Sequence, residues 1–464
     1  MKSVLTAVFL PLLGAFLIPV LPKRYRSYYS VLLLGLTFFF SLIAVSLALK
    51  HKDFVFVRYF SGWFEFSFLS DGLAAFMAAV SSFVAFLISL YSLDYMEHYP
   101  ENGTFYFWTV LFVGSMMGLV FSANLLLLFC FWEISSVCSW RLIGFYRKDE
   151  DVAAADKAFL ITFLGASLML AGIIAVYLNY GTLSVNSLKG LPISNIAAFL
   201  LLAGIISKSA QLPLQTWLPD AGVAPTPVTA LLHAAVLVKI GVYFFARAFG
   251  MTFASSPLFT NTAIAISAVT IIVAGGSALV ENNIKRILAY STISQLGYIL
   301  LALALNSAIS FKVALVYILA HSLAKAGLFL CAGIIEQATG TKDINRLGGL
   351  LKTMPFTAAA YLLCAFSVIG IAPFLGFWPK FMIVLLAIKS GHLIAGFLAV
   401  LGALFTLLYL MRVFNKVFLG VGAVEAHEDK KSFMVMVVLA FGALSLLLGI
   451  LFKLPFNFVN TLIR

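Results

Sequence analysis

Apolar runs of about 20 residues recur along the chain, with only short polar segments between them. A run of this length crosses the ~30 Å hydrocarbon core of a bilayer as a helix, which satisfies its own backbone polar groups. About fourteen such runs fit into the sequence. The 62% hydrophobic and 10% charged content excludes a soluble globular domain as well. The sequence therefore predicts an all-α integral membrane protein with about fourteen transmembrane helices.

Lysine and arginine are distributed unevenly between alternate loops and span ends. The richer set consists of Lys23, Arg24, Arg26, Arg141, Arg147, Lys148, Lys157, Lys285, Arg286, Lys342, Arg346, Lys352, Arg412, Lys416, Lys430 and Lys431. By the positive-inside rule these loops are cytoplasmic, which predicts that both termini lie outside. The net charge of +12 is then explained by membrane orientation, and no nucleic-acid partner is expected.

Five ionisable residues lie in the middle of different apolar runs: Glu133, Lys208, Lys239, Lys325 and Lys380. Each costs at least ~2.5 kcal/mol to insert at the centre of a bilayer. Structural ion pairs between helices are one explanation, but four lysines cannot all pair with one central glutamate. A buried lysine can release its proton, whereas an arginine stays charged. This selection of lysine favours proton transfer, with Glu133 controlling the charge of Lys208.

Polar residues at helical spacing accompany these lysines. Tyr317, His321 and Lys325 follow one another at i, i+4 spacing and predict a polar stripe on one helix. His233 and Lys239 belong to another span and are six residues apart, so they face different neighbours. Each histidine is either a hydrogen-bonded structural residue or a proton relay, and the sequence leaves both interpretations open.

Prolines interrupt two of the apolar runs. Pro213 follows Lys208, and Pro373 and Pro379 precede Lys380. Proline removes a backbone hydrogen bond, so both runs are predicted to be broken helices, with simple kinks as the alternative. Matching breaks predict two repeats of five spans, and an odd number of spans inverts their orientation. The predicted units are residues 1–104 (helices 1–3), 105–250 and 256–420 (the repeats), and 421–464 (helix 14).

No redox, hydrolytic or metal site is indicated. The four cysteines, Cys130, Cys138, Cys331 and Cys364, lie in apolar runs without CxxC spacing and are expected to be packing residues. The sequence contains no haem attachment motif and no dinucleotide fingerprint after a strand. We expect no catalytic residue, cofactor or metal in this chain, so any electron transfer would occur on partner subunits.

Several segments resemble the proton-translocating antiporter-like subunits of respiratory NADH:quinone oxidoreductase (complex I), Mrp sodium/proton antiporters, and membrane-bound hydrogenases and their relatives. They are FWEISSVCSWRLIGFY, SKSAQLPLQTWLPDAGVAPTPVTALLHAAVLVKIGVY, NNIKRILAYSTISQLGY, HSLAKAGLFLCAG and APFLGFWPKF. The resemblance extends from SFLSDGLAAF, near Asp71, to about residue 415. It implies fourteen helices with inverted repeats, in the plasma membrane of a prokaryote.

The resemblance also implies roles for individual residues. Glu133 resembles the family's regulatory glutamate, and Lys208 its partner lysine on the broken seventh helix. Lys239 and His233 resemble the residues of the family's onward connection. His321 and Lys325 resemble those of its central linker. Lys380 resembles the terminal lysine of the second half-channel. With the loops oriented as above, uptake is expected near Lys208 and release near Lys380.

The motifs are most similar to the largest antiporter-like type, yet the chain ends at Arg464, shortly after the fourteenth span. The long lateral helix of the corresponding complex I subunit is therefore not expected. This favours membrane partners from a hydrogenase-like, sulfur-reductase-like or Mrp-type complex over a respiratory NADH-linked one. In either case the chain would be the ion-translocating subunit of an oxidoreductase or of an antiporter.

Two other classes of function fit the sequence less well. A self-contained secondary transporter for a small solute would need a central binding pocket, whereas the lysines on separate helices resemble a proton wire. An inert scaffold would not place five ionisable residues in the membrane interior. Sodium would require carboxylates and carbonyls rather than lysines, so this chain is expected to carry protons.

Overall fold

The computed structural model describes residues 2–50, 54–59, 65–421, 426–429 and 432–463. The first helices and the hairpin strands are α1 (Lys2–Ala15), α2 (Lys23–Leu49), β1 (Phe54–Tyr59), β2 (Glu65–Ser70), α3 (Gly72–Tyr95), α4 (Asn102–Phe121), α5 (Leu125–Ile143) and α6 (Asp149–Tyr180). The central helices are α7 (Asn195–Lys208), α8 (Trp217–Asp220), α9 (Thr226–Ala230), α10 (Leu237–Arg247), α11 (Pro257–Val280), α12 (Ile284–Ala304) and α13 (Ala308–Thr339). The last helices are α14 (Pro355–Ile369), α15 (Phe377–Lys389), α16 (Leu393–Phe414), α17 (Phe433–Ile450) and α18 (Lys453–Leu462).

The described residues form a multi-pass membrane protein. Eleven of their helices are long and apolar enough to cross a bilayer, and α1, α7 and α14 are shorter apolar helices. The helical run Thr226–Thr252 joins α9 and α10 through a π-helical turn. In its most apolar stretch of 18 residues, 100% of the residues are buried, and in the corresponding stretches of α12 and α13 the share is 94%. For α6 and α16 the figure is only 39%. The centre of the molecule is thus the Thr226–Thr252 run with α12 and α13, and α6 and α16 lie at its surface.

Two elements depart from the pattern that hydropathy predicts. An antiparallel hairpin, β1 and β2, connects α2 to α3, with Phe54 paired to Ser70 and Phe56 to Phe68. The amphipathic helix α18 follows α17 and buries Val459 and Leu462. The strands have six residues each and α18 has ten, so neither element produces an apolar run long enough to cross a bilayer.

Helices α6 and α13 have the same length and the same ends. Each contains 32 residues and ends at a glycine with positive φ, Gly181 at 65° and Gly340 at 70°. Glycine is favoured in the left-handed backbone conformation at this place, because it has no Cβ. The two glycines are 159 residues apart (181 to 340).

The starts of α5 and α12 correspond in the same way. Asn124 and Asn283 cap these helices by accepting hydrogen bonds from the next backbone N–H groups. Each also forms an isolated β-bridge to a later loop, Asn124 with Ser184 and Asn283 with Asp343. The asparagines are again 159 residues apart (124 to 283), so the same loop architecture occurs twice.

Two apolar helices are interrupted where the sequence predicts it. Helix α7 ends at Lys208 and helical structure resumes at Trp217; α14 ends at Ile369 and α15 begins at Phe377. Pro213 and Pro373 lie inside these interruptions. The prediction for Pro379 is wrong, because this residue lies in the first turn of α15. A proline is tolerated there since the first N–H groups of a helix have no intrahelical acceptor.

We expect Gly165→Ala to destabilise the packing of α6 against α7. A Cβ atom at Gly165 would collide with the side chain of Ser207, next to Lys208, and would lie 3.0 Å from the Ala203 carbonyl oxygen. Overpacking of this kind costs about 1–3 kcal/mol. Gly276→Ala is the matched control, because nothing lies within 4 Å of its added Cβ. Size-exclusion chromatography of the solubilised protein after heating should show a lower midpoint for Gly165→Ala only; equal midpoints would contradict this packing.

Candidate functional site

The four mid-span lysines are buried in the protein. Lys208 and Lys325 are 0% exposed, Lys239 is 1% and Lys380 is 5% exposed, while Glu133 is half-buried. None of the ion pairs within the described residues includes these lysines. Four ammonium groups are therefore held in the interior by neutral acceptors, an arrangement that is expensive for a permanently charged group.

Lys208 and Glu133 are connected through a hydroxyl group. The Lys208 ammonium donates to Ser136 Oγ at 2.6 Å, and Ser136 Oγ lies 3.5 Å from Glu133 Oε1. Ser136 belongs to α5, one turn after Glu133, so the helix itself places the hydroxyl between the two charges. The ammonium also lies 5.5 Å from the centre of the Trp132 ring, a favourable cation–π distance. The Ser136 hydroxyl group thus bridges Lys208 and Glu133.

Lys239 and His321 are in direct contact. Lys239 Nζ lies 2.7 Å from His321 Nδ1, which joins α10 to α13. The His321 Nε2 atom is buried and has no hydrogen-bond partner among the described residues. An imidazole arranged in this way can take a proton on one nitrogen and release one from the other.

His233 lies in the π-helical turn Leu231–Ala235, between α9 and α10. Its ring stacks on Phe329 at 4.3 Å between ring centres. Both of its nitrogens are buried and have no partner in the part of the chain that the structure describes. His233 and Lys239 are therefore not in direct contact, in agreement with their six-residue spacing in the sequence.

The remaining two lysines bind backbone carbonyl groups. Lys325 Nζ donates to the Leu288 carbonyl oxygen of α12 at 3.2 Å. Lys380 Nζ donates to the carbonyl oxygens of Val368 at 2.7 Å and Ile369 at 3.2 Å, and it lies 4.8 Å from the centre of the Tyr298 ring. The last carbonyl groups of α14 have no intrahelical donor, so the interrupted helix supplies acceptors for the ammonium.

The two interruptions place an ammonium group at corresponding positions. Lys208 is five residues before Pro213, and Val368, which accepts from Lys380, is five residues before Pro373. Lys380 itself is seven residues after its proline, where the first interruption has Asp220. Each ammonium group is therefore associated with the residue five positions before the proline, although the two lysines come from opposite sides of the interruptions.

Sequence reasoning missed a polar face on α12. The Tyr317 hydroxyl donates to Gln295 Oε1, and the Tyr409 hydroxyl donates to Ser291 Oγ at 2.6 Å. Ser291, Gln295 and Tyr298 follow at helical spacing from Leu288, the acceptor of Lys325, to the ring beside Lys380. The motif YSTISQLGY carries these polar residues inside an apolar run, which was the available signal.

The sequence matches the family model of the NADH:quinone oxidoreductase/Mrp antiporter transmembrane region over residues 122–406. It matches that of the complex I chain 5 amino terminus over residues 59–106. NADH-quinone oxidoreductase subunit L of Pseudomonas aeruginosa is 40% identical, over 78% of this chain and 60% of the relative. Na⁺/H⁺ antiporter subunit A1 of Staphylococcus saprophyticus is 33% identical, over 91% of this chain and 57% of the relative. The chain thus spans about three fifths of the length of these curated relatives.

Two solved structures share the fold. Chains of the Mrp complex from Dietzia sp. and of the membrane-bound sulfane sulfur reductase, an archaeal respiratory membrane complex, each give a TM-score of 0.89. Their sequence identities are 23% and 24%, with 99% of this chain and 97% of each of those chains covered. Both of these chains belong to complexes.

We expect Ser136→Ala to destabilise the protein by about 1–3 kcal/mol, because it removes the closest acceptor of a fully buried ammonium group. Ser135→Ala is the control, since the Ser135 hydroxyl donates to the Trp132 carbonyl oxygen of its own helix at 2.5 Å. Thermal unfolding of the solubilised protein, followed by near-ultraviolet circular dichroism, should give a lower midpoint for Ser136→Ala than for Ser135→Ala. The opposite order would contradict the role of this hydroxyl.

Proposed function

Because the chain belongs to the proton-antiporter family of membrane subunits shared by NADH:quinone oxidoreductases and Mrp antiporters, we propose that it translocates protons as one subunit of a multisubunit membrane complex. The family match confirms the resemblance inferred from the motifs. The transport is driven by a redox partner or by a cation gradient. The other membrane subunits of such a complex are the expected partners.

The burial of the four lysines without a direct ion pair to a carboxylate is the observation that carries this proposal. A lysine that remains charged in such a place is costly, whereas one that alternates between charged and neutral forms is charged only part of the time. Each ammonium group is bound by a neutral group: a hydroxyl for Lys208, an imidazole for Lys239, and backbone carbonyl groups for the other two lysines. All of these groups can hold a proton donor without fixing its charge as a carboxylate would.

We propose a path of three clusters between the interrupted helices. The first is Glu133 with Lys208; the second is the Lys239–His321 contact with His233 and Lys325; the third is Lys380. The polar face of α12 lies between the second and third clusters. Water molecules would connect groups that the side chains do not join directly.

Movement of Glu133 relative to Lys208 would provide the control. When the carboxylate is near, the ammonium form of Lys208 is favoured; when the two separate, burial favours release of the proton. Moving one charge against about 180 mV requires about 4 kcal/mol. A change in burial and counter-charge can supply an energy of that size. Only the Ser136 hydroxyl lies between the two groups, so a displacement that breaks its contact with either one would separate them.

The proposed architecture has fourteen spans and two inverted repeats, residues 105–250 and 256–420, flanked by residues 1–104 and 421–464. The eleven long and three short apolar helices together support fourteen spans. The equal spacings of the helix caps and αL glycines support the repeats, and five spans per repeat invert them.

The proposed orientation places the lysine-rich and arginine-rich loops in the cytoplasm of a prokaryotic cell and both termini outside its plasma membrane. Protons would enter near Lys208 and leave near Lys380. Glu133 is half-buried at mid-depth on α5, where a carboxylate facing lipid would be costly. A neighbouring membrane subunit covering this face would allow partner movements to act on Glu133.

We expect Glu133→Gln and Lys208→Ala each to abolish coupled proton movement, because the first removes the controlling charge and the second the group that it controls. The measurement uses the complete complex reconstituted in vesicles with an entrapped pH dye. Lys453→Ala, at an exposed lysine, is the control and should pump normally. Normal pumping by either test variant would exclude the assigned pair.

Lys380→Arg tests the exit. Arginine keeps the charge and approximate volume but does not release its proton, so the complex should assemble and its pumping should be lost. Lys380→Glu replaces the lysine with another titratable group and should retain partial activity. If Lys380→Arg pumps at the normal rate, Lys380 is only a fixed charge and the path leaves the protein elsewhere.

A further inference from the structure

A second group of charges lies where α13 approaches the loop that follows it. Glu336 Oε2 forms an ion pair with Lys285 Nζ of α12 at 2.6 Å, and Glu336 Oε1 lies 3.2 Å from Lys342 Nζ. The Thr226 hydroxyl of α9 donates to Glu336 Oε2 at 3.2 Å. One carboxylate thus joins α9, α12, α13 and the following loop.

Exposure decreases from the loop towards the interior through this group. The side chain of Lys342 is 33% exposed, that of Glu336 is 20% exposed, and that of Lys285 is 1% exposed. Lys285 also donates to the Ala224 carbonyl oxygen at 3.1 Å. Glu336 therefore links the partly exposed Lys342 to the buried Lys285.

The same elements continue from Glu336 to the lysine row. Glu336 is eleven residues after Lys325 on the continuous helix α13, which places both on one face about 16 Å apart along the axis. Lys285 is one turn before Leu288, whose carbonyl group binds Lys325. Thr226 is two turns before His233 along the Thr226–Thr252 run.

His233 supplies the independent observation. Its two ring nitrogens are completely buried and have no partner in the described part of the chain, although buried polar groups are nearly always hydrogen-bonded. His233 lies in a π-helical turn, which departs from the regular α-helical hydrogen-bond pattern. Such turns are frequent at functional sites. Bridging water would satisfy the imidazole and extend towards Thr226.

We propose that Glu336 is the proton-loading carboxylate of a side entrance, which reaches the lysine row at His233 and is held shut by Lys285. This inference rests on the proposed proton translocation, and it adds an entrance in the middle of the row to the one near Lys208. By the orientation proposed above, the entrance opens to the cytoplasm.

The transfer is balanced at each step. A water molecule on the loop side gives a proton to the Glu336 carboxylate, whose neutral form no longer attracts Lys285. The carboxyl group then passes that proton through water to one nitrogen of His233, and the imidazole releases the proton on its other nitrogen towards the row. Glu336 returns to the carboxylate form and pairs with Lys285 again.

A purely structural ion pair would give different results from a proton entrance. Glu336→Gln keeps the shape and can still accept from Thr226, but it cannot carry a proton. Glu336→Asp keeps a titratable group. Because Glu336→Gln leaves Lys285 buried without its counter-charge, the double variant Glu336→Gln/Lys285→Met removes both charges and preserves the packing.

The test uses the complete complex in vesicles with an entrapped pH dye. We expect Glu336→Gln and the double variant to slow proton movement about 100-fold, the range of a lost acid–base group, and Glu336→Asp to keep most of the rate. Glu281→Gln is the matched control: Glu281 is also ion-paired, with Arg286 at 2.8 Å, and its side chain is similarly exposed at 22%. This variant should pump normally.

The outcomes separate the entrance from the wider proposal. Normal pumping by the assembled double variant, with pumping lost in Lys208→Ala, would overturn the entrance alone. Normal pumping by both would overturn the proposed function. Loss of pumping in the Glu281→Gln control as well would also overturn the entrance, because the effect would then follow from any ion pair on this side.

Discussion

The rest of the structure depends on how ammonium groups are held inside apolar protein without direct ion pairs. Each of the four lysines finds a neutral acceptor on a neighbouring helix or at a helix end, namely a serine hydroxyl, an imidazole or backbone carbonyl groups. Such acceptors lower the cost of the charged form without making the charge permanent. The helices must therefore be packed closely at the centre, where the Thr226–Thr252 run, α12 and α13 are almost entirely buried.

The interrupted helices make this arrangement possible. A continuous transmembrane helix uses nearly all of its carbonyl groups internally, whereas α14 ends in mid-protein and offers two of them to Lys380. Lys208 lies at the corresponding end of α7 and reaches across to α5 instead. Lys208 and Val368, an acceptor of Lys380, thus lie at the same distance before their prolines, although the two lysines come from opposite sides of the interruptions.

Arginine and lysine have separate places in the molecule. Arg247 donates to Asp71, with Nη2 2.8 Å from Oδ1, and ties the end of α10 to the start of α3. This pair is a fixed link because arginine keeps its proton. Lysines occupy the mid-span positions, and among the described residues only Lys285 pairs a fully buried ammonium group with a carboxylate. The exception lies at the boundary with the loops, which is why its carboxylate is the candidate for an entrance.

The sequence by itself determined that the chain is an all-α multi-pass membrane protein, that Pro213 and Pro373 interrupt two apolar helices, and which charged residues lie within apolar runs, because each depends only on hydropathy, position and the chemistry of single residues. It failed for the β1–β2 hairpin and α18, because both are too short to register as membrane-spanning runs, and for Pro379, because its effect depends on where α15 begins. Only tertiary structure decided that Ser136 separates Glu133 from Lys208, that Lys239 meets His321, and that Glu336 meets Lys285. The contacts between helices join residues 51 to 82 positions apart, and they follow from how helices pack rather than from any local pattern.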